Sequence, residues 1–500
     1  MANYLIGLDF GTSQTKVCVF NEKTKSREFI RFENESLFLP SLITKKTDGL
    51  LTYGNEKTLG DKYRYFKMAA AEDKDFIQIT FEDLDGNLNM GIDNYRKYSE
   101  NVNIKSGILV VLYLTYIYLF VKKKKGNPSQ QPKGGLLGRL EEKNQQEENS
   151  FSINLGIPTE WNSSKYSQRK IRFQSFLLIA VKLADKFDKI EGFLSNGFSE
   201  LETLILEINQ ENINQVKNDD EYLKKQLEVY KLSVFPESAA GVNYLLQTKR
   251  LTNPLIPNEE KYFATLDIGA GTSDIAIFKV RNNQISEYYC SESIEIASND
   301  VYREYAKLSK KKKEIFFENI KQAEIEIRNN KFNKDYYCEA ISIVKGSKGI
   351  REGSGIQFAV RRIFYRKFYI LAHGVDQNYA FTVKNNMQES SIIIYGGGAN
   401  FPILSEGVYC YYPDPMDRIN LDDKNFIAQP ITEFIEGQIK ITNPQNEIRE
   451  HLNLLILALG LTYKNGIDDN ELNIFNPDNL PNPESIQDSY FYHDIQDAVY

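Results

Sequence analysis

Two short stretches of this sequence decide the fold: LDFGTSQT at residues 8–15 and LDIGAGTSD at residues 266–274. Each stretch places an aspartate at the end of an apolar run, then glycine and hydroxyl residues, and then a second apolar run. This pattern is typical of a strand, a tight glycine turn and a returning strand. Because the second stretch repeats the first in another part of the chain, the pair predicts a duplicated protein with two similar lobes.

The glycine turns are suited to binding phosphate. Successive backbone N–H groups in such a turn form a concave surface that accepts anions, and Thr and Ser hydroxyls add donors. An aspartate beside the turn can hold the water shell of Mg²⁺. A third run, GGGANFP at residues 396–402, follows an apolar strand and indicates a close backbone approach to a ligand. Each stretch alone also fits an ordinary turn, so the prediction rests on all three in this order.

Composition and missing motifs exclude several other classes. There is no GxxxxGK(S/T) loop, and Gly269-Ala270-Gly271 lacks the third glycine of a dinucleotide fingerprint. The net charge of −7 argues against nucleic acid as a partner. The four cysteines form no CxxC pair and the three histidines are scattered, which argues against a disulfide scaffold or a zinc site and favours a reducing, cytoplasmic location.

One apolar run permits two interpretations. Residues 107–121, GILVVLYLTYIYLFV, are followed by Lys122–Lys125. The run is shorter than the ~20 residues that a spanning helix needs, although the lysines would suit the flank of a membrane helix. We expect a buried core helix, and a membrane helix is the alternative.

The order of the motifs resembles the actin-like ATPase superfamily, and within it the nucleotide-binding domain of heat shock protein 70 chaperones. DFGTSQT and DIGAGTSD are similar to the two phosphate motifs, and GGGANFP is similar to the adenosine motif. GIPTEWN at residues 156–162 and PESAAG at residues 236–241 are similar to the connecting segments of the chaperone branch. That family has a helix before the first connecting strand, where residues 107–121 stand.

The resemblance implies an α/β protein with a duplicated actin-like ATPase fold, two lobes around a nucleotide cleft. The implied segments are lobe I at residues 1–235 with a loop at 122–150 and a helical insertion at 170–230, lobe II at 236–465 with a smaller subdomain at about 298–390, and an acidic tail at 466–500. The family's peptide-binding domain is not expected.

The resemblance also implies a function, Mg-ATP binding with slow hydrolysis that switches lobe closure. The implied catalytic residues are Asp9, Glu237, Asp267 and Asp274, with Asp9 and Asp267 holding Mg²⁺ through water. The implied nucleotide-binding residues are Gly11, Thr12, Ser13, Gln14, Gly269, Ala270, Gly271, Thr272, Gly396, Gly397, Gly398 and Asn400.

Three positions depart from the family pattern. Phe235 stands where the family has a glutamate before the proline, and Glu237 follows the proline instead. Asn400 stands where the family has an arginine against the adenine. The lysine of the first lobe has no clear counterpart, and Lys57 is the nearest candidate.

Three functions remain open. The first is a chaperone-like ATPase switch that acts on a protein partner, and the connecting segments favour it. The second is an actin-like filament or scaffold protein, and the third is a small-molecule kinase of the sugar-kinase type. No membrane partner is expected in any of them.

Overall fold

The computed structural model describes residues 2–64, 66–71, 105–126, 149–158, 161, 167–215, 220–247, 260–270, 273–281, 284–294, 392–400, 429–430 and 440–463. Within these ranges the chain is α/β, as the sequence predicts. The strands are β1 (Asn3–Phe10), β2 (Gln14–Asn21), β3 (Ser26–Phe29), β4 (Leu39–Pro40), β5 (Leu42–Lys45), β6 (Leu51–Tyr53), β7 (Asp61–Arg64), β8 (Ser150–Ile157), β9 (Leu232–Pro236), β10 (Glu260–Ile268), β11 (Ser273–Arg281), β12 (Gln284–Ile294), β13 (Ile392–Tyr395) and β14 (Gln429–Pro430). The helices are α1 (Phe66–Ala71), α2 (Ser106–Lys125), α3 (Ser167–Ala184), α4 (Ile190–Leu194), α5 (Phe198–Gln215), α6 (Asp220–Tyr230), α7 (Glu237–Gln247) and α8 (Gln445–Gly460).

The first sheet has the strand order β3-β2-β1-β8-β9, with β4 paired to β2. Its hairpin strands run antiparallel, whereas β8 and β9 run parallel to β1. The central strand β1 is buried along most of its length, as expected for a strand covered on both faces. Its apolar run therefore reflects its place at the centre of the sheet.

The second sheet has the strand order β12-β11-β10-β13-β14. Strands β10, β11 and β12 are antiparallel neighbours, and β13 and β14 run parallel to β10. The two sheets therefore share strand order and strand direction. A third sheet, β6-β5-β7, is small and wholly antiparallel.

Helix α2 lies in the hydrophobic core that covers the first sheet. It is the one helix in the described ranges that is long and apolar enough to cross a membrane by length and composition, and 78% of that apolar window is buried inside the protein. Tyr113 and Tyr116 are almost completely buried and contact aromatic residues of other elements. The prediction of a buried helix at residues 107–121 is thus confirmed as to helix and burial.

The predicted loop at 122–150 begins too early. Lys122–Lys125 form the last turn of α2, where positive side chains interact favourably with the negative end of the helix dipole. At the other end, Ser150 is already the first residue of β8. Residues 127–148 lie outside the described residues, as do the whole of the predicted subdomain at 298–390 and the whole of the tail at 466–500.

The described residues between 170 and 230 are mostly helical, as the sequence predicts, and they form most of α3 to α6. Helix α3 packs against α2 so closely that a Cβ on Gly107 would lie 2.8 Å from the Phe176 ring. Thr115 of α2 donates a hydrogen bond to the carbonyl of Ala180. This helical segment therefore belongs to the core that covers the first sheet.

Helices α7 and α8 cross at a very short distance. Gly460 faces the backbone of Ala240, and a side chain at this glycine would overlap the Ala240 carbonyl. Helix α8 also packs on β1, where Gly7 faces the Ala458 carbonyl. Glycines at both contacts let the backbones approach each other directly.

The segment around α8 returns to the first sheet. The Arg27 N–H donates to the Lys440 carbonyl at 2.8 Å, and the Arg27 guanidinium lies 3.9 Å from the centre of the Tyr463 ring. The Asn443 side chain bonds both the N–H and the carbonyl of Phe29. Residues 440–463, which the sequence places in lobe II, therefore complete the edge of the first sheet.

Candidate functional site

The two glycine hairpins place charged residues at the same position in each sheet. In the first hairpin, Asp9 of β1 lies opposite Lys16 of β2. In the second, Asp267 of β10 lies opposite Asp274 of β11. All three aspartates are buried, so each hairpin brings charge into the interior at the end of its first strand.

A lysine compensates the charge of the first hairpin. The Lys16 ammonium donates to Asp9 Oδ2 at 2.9 Å, and the Asp9 side chain is 2% exposed. The corresponding place in the second hairpin is occupied by Asp274, so two carboxylates lie side by side there. The two hairpins therefore have the same backbone pairing, but the residue opposite the first aspartate is a lysine in one and an aspartate in the other.

Glu237 brings a fourth carboxylate to the same place. It is the first residue of α7, directly after the parallel strand β9, at the strand end where open α/β sheets commonly bind ligands. Gly156 of β8 gives it room, because a Cβ there would lie 3.2 Å from Glu237 Cγ. Lys67 of α1 donates to Glu237 Oε1 at 2.9 Å, and both side chains are buried.

The carboxylates form a group that could hold a metal ion. Glu237, Asp267 and Asp274 each offer an oxygen, and these oxygens lie within 4.8 Å of one another. Together with Asp9, four carboxylates face the two ammonium groups of Lys16 and Lys67, so two negative charges remain when all six groups are ionised. A hard divalent cation with oxygen preference, such as Mg²⁺, matches both the charge and the donor atoms.

Burial and mutual repulsion alter the acidity of the group. The pKa of Asp267 is raised well above its usual range, first by burial and then by the negative charges of Glu237, Asp274 and Asp9. Burial also raises the pKa of Glu237, and the nearby Lys67 ammonium opposes that rise. Such shifts in a cluster of facing carboxylates are typical of functional sites.

The glycine run lies directly against the second hairpin. Gly396 has a φ of +91°, and a side chain there would overlap Asp267 Oδ1 and the Ile268 carbonyl. A Cβ on Gly398 would lie 3.0 Å from the Gly269 carbonyl. The Gly396 N–H donates to the Asn453 carbonyl of α8 at 2.9 Å. Only glycine fits these two places, because the second hairpin lies against them. The approach of this run to a ligand, which the sequence suggested, stays a prediction.

Some of the remaining predicted site residues are described by the structure, and others are not. Gly11, Thr12 and Gln14 are half-buried and Ser13 is exposed, so the first turn is accessible to solvent. Gly269 and Ala270 begin the second turn and are half-buried, and Gly397 begins a short 3-10 helix that ends at Asn400. Gly271, Thr272 and the side chain of Asn400 lie outside the described residues.

Sequence reasoning missed both lysines of the site. Lys57, the candidate from the sequence, is exposed, and its N–H donates to Asn55 Oδ1. Lys16 had a usable signal, because it stands as far after Asp9 as Asp274 stands after Asp267. Lys67 had none, since its place near Glu237 depends on how α1 packs.

Comparison with known proteins gives no assignment. No protein-family model matches the sequence, and no curated protein matches it.

Proposed function

We propose that this protein binds Mg-ATP between the two glycine hairpins and hydrolyses it slowly, as a switch similar to the nucleotide-binding domain of heat shock protein 70 chaperones. One observation carries the proposal. The two hairpins, which carry the phosphate-type motifs, join α1 and α7 in bringing four buried carboxylates and two lysines to the same place as the Gly396–Gly398 run. Phosphate and a divalent cation need backbone donors, carboxylates and ammonium groups of this kind.

The proposal includes a duplicated actin-like fold with two lobes around the nucleotide. The support is the common strand order and direction of the two sheets, and the equal register of Asp9 and Asp267 in their hairpins. Helices α7 and α8 cross between the sheets. In this arrangement a ligand that contacts both hairpins would favour the closed position of the lobes.

Each residue has a role in binding. The turn at Gly11–Ser13 and the turn that begins at Gly269 would donate backbone N–H groups to the phosphates. The Gly396–Gly398 run would lie along the adenosine. Asp9 and Asp267 would hold the water shell of Mg²⁺, whose charge would neutralise the triphosphate when the ion is bound.

Hydrolysis depends on groups that hold water and charge in place. Lys67 fixes the Glu237 carboxylate by its bond to Oε1, which leaves the other oxygen of Glu237 to orient a water. Asp267 and Asp274 would position the attacking water and the waters of the bound ion. Without a strong base, catalysis rests mainly on positioning and charge neutralisation, which suits slow turnover.

Binding is tested by thermal unfolding with and without Mg-ATP. A ligand that binds only the folded state at about a hundred times its Kd stabilises it by about 2.7 kcal/mol. We expect a clear rise in Tm with Mg-ATP and a smaller one with adenosine. The proposal fails if saturating Mg-ATP leaves the Tm unchanged.

Hydrolysis is tested by phosphate release from the wild-type protein, Asp267→Asn and Asp185→Asn. Asp267→Asn is expected to lose nearly all of the wild-type rate, because the neutral amide lacks the negative charge that holds the water shell of Mg²⁺. Asp185 is an exposed carboxylate beside Lys122, so its asparagine variant should release phosphate at the wild-type rate. An unchanged rate in Asp267→Asn would remove that residue from the mechanism.

The proposal extends to partner and location. We propose a cytoplasmic protein whose nucleotide state is recognised by a separate protein partner. Addition of that partner should change the rate of phosphate release.

A further inference from the structure

Ser41 is bound to the first glycine turn at two points. Its hydroxyl donates to the Gly11 carbonyl at 2.7 Å, and its N–H donates to the Ser13 carbonyl at 2.9 Å. Thr15, the residue after the turn, lies with its hydroxyl 3.2 Å from the Ser41 hydroxyl. Ser41 and Thr15 are both buried. One serine therefore holds two of the carbonyl groups in the turn that carries the first phosphate motif.

These two bonds determine where the N–H groups of the turn point. In a trans peptide unit the carbonyl and the N–H of the next residue point in opposite directions. Because the Gly11 and Ser13 carbonyls face Ser41, the N–H groups of Thr12 and Gln14 point away from it. The Thr12 N–H is one of the donors that the proposed function assigns to phosphate, and Gln14 is among the nucleotide-binding residues that the resemblance implies.

A tyrosine of the core helix fixes the segment that carries Ser41. The Tyr113 hydroxyl donates to the Pro40 carbonyl at 2.9 Å and lies 3.3 Å from the Leu39 carbonyl. Strand β4 also pairs with β2 at Gln14 and Thr15. The position of Ser41 is therefore set by α2, and not by the turn alone.

We propose that Ser41 is a positioning residue for phosphate binding, which orients the N–H groups of the first glycine turn and is itself held in place by Tyr113. The inference rests on the proposed function, because it concerns the same turn. It adds residues that no phosphate would contact, and it links phosphate affinity to the core helix α2.

The test compares Ser41→Ala with Ser36→Ala as the matched control. Ser36 is also a buried serine, and its hydroxyl accepts a bond from the Phe38 N–H, away from the turn. Both changes remove a serine-to-backbone hydrogen bond, so a general loss of stability should appear in both. The measurement is the Kd for Mg-ATP and for adenosine in each protein, by calorimetry.

We expect Ser41→Ala to weaken Mg-ATP binding by about tenfold, since it removes the hydroxyl that orients the turn. Adenosine binding should change little, because adenosine has no phosphate. Ser36→Ala should retain the wild-type ratio of the two Kd values. An unchanged ratio in Ser41→Ala, or an equal change in Ser36→Ala, would overturn the inference.

Tyr113→Phe keeps the test decisive if Ser41→Ala does not fold. It removes only the hydroxyl that holds the Pro40 carbonyl, and a smaller loss of Mg-ATP affinity is expected with adenosine binding unchanged. An unchanged ratio of the two Kd values in this variant would overturn the inference.

If the wild-type protein itself does not bind Mg-ATP, the proposed function fails, and the inference with it. If the wild type binds and the variants bind equally well, only the inference fails.

Discussion

At the scale of single residues, the charges of the acidic cluster disfavour the folded state of the protein. Asp267 lies among other carboxylates, in a place where burial and repulsion both disfavour its charge. A ligand cation would relieve that repulsion. If the proposed function is correct, the bound cation stabilises the folded protein.

The first prediction concerns the pH dependence that follows from Asp267. Its pKa in the folded protein is raised above the value of about 3.9 for an unfolded chain. The folded state therefore binds this proton more tightly, and the resulting stability is fully present below that ordinary pKa. It is lost as the pH rises through the raised pKa of the folded state.

Asp267→Asn, which carries no such proton, should be more stable than the wild type at pH 7 without Mg-ATP, by roughly 0.5–2 kcal/mol. The difference should shrink towards pH 4, where the wild-type carboxyl is protonated. Urea unfolding at several pH values measures it. A variant that is less stable than the wild type at pH 7 would contradict the raised pKa.

The second prediction concerns the buried pair of Lys67 and Glu237. Lys67→Met leaves the Glu237 carboxylate buried without its cation, which typically costs about 3–5 kcal/mol. The double variant Lys67→Met with Glu237→Gln should recover much of that loss, because no uncompensated charge remains. Urea unfolding of both variants measures the difference.

The chain offers a matched pair on its surface. Lys123 and Glu191 are joined at 2.6 Å, but their side chains are 58% and 60% exposed. Lys123→Met should change stability little, because water screens an exposed ion pair. Equal losses in Lys67→Met and Lys123→Met would show that burial of the Glu237 pair has no energetic role.

At the scale of elements, the sequence was most informative where local chemistry determines the structure. The turn residues and the apolar runs beside them predicted both hairpins, and the apolar strand predicted before the glycine run is present at Ile392–Tyr395. The end of α2 was misjudged, because lysines resemble a loop in composition but also suit a helix C-terminus. The position of Lys67 could not be predicted, since it depends on tertiary packing.

The third prediction tests the crossing of α7 and α8. Gly460→Ala would place a methyl group against the Ala240 carbonyl, and either the helices must separate or the backbone must shift. We expect a loss of several kcal/mol, at or above the 1–3 kcal/mol typical of overpacked cores. Thermal unfolding followed by circular dichroism measures the loss.

Gly192→Ala is the control for that substitution. Gly192 also lies in a helix, α4, and a Cβ there would meet only Phe187 Cδ1 at 3.7 Å, an ordinary contact. Alanine is the better helix former by about 1 kcal/mol, so this variant should be as stable as the wild type or more stable. If both variants behave alike, the close crossing is not what requires glycine at position 460.

At the scale of the whole molecule, α8 contacts the two halves of the proposed site. Asn453 accepts the bond from Gly396, and the segment before the helix bonds β3 through Asn443. Mg-ATP should therefore slow hydrogen exchange in both hairpins and in α8 together. Exchange measured by mass spectrometry, with adenosine as the control ligand, tests this, and protection limited to one hairpin would contradict it.

The return of residues 440–463 to the first sheet has a consequence for synthesis. A ribosome adds about 5–20 residues per second, so tens of seconds separate the emergence of Phe29 from that of Asn443, its hydrogen-bond partner in the finished protein. During that interval the nascent first half has an open strand edge and an uncovered face of β1 around Gly7. Such edges readily pair with other chains, so the growing polypeptide is most exposed to aggregation before its last described helix leaves the ribosome.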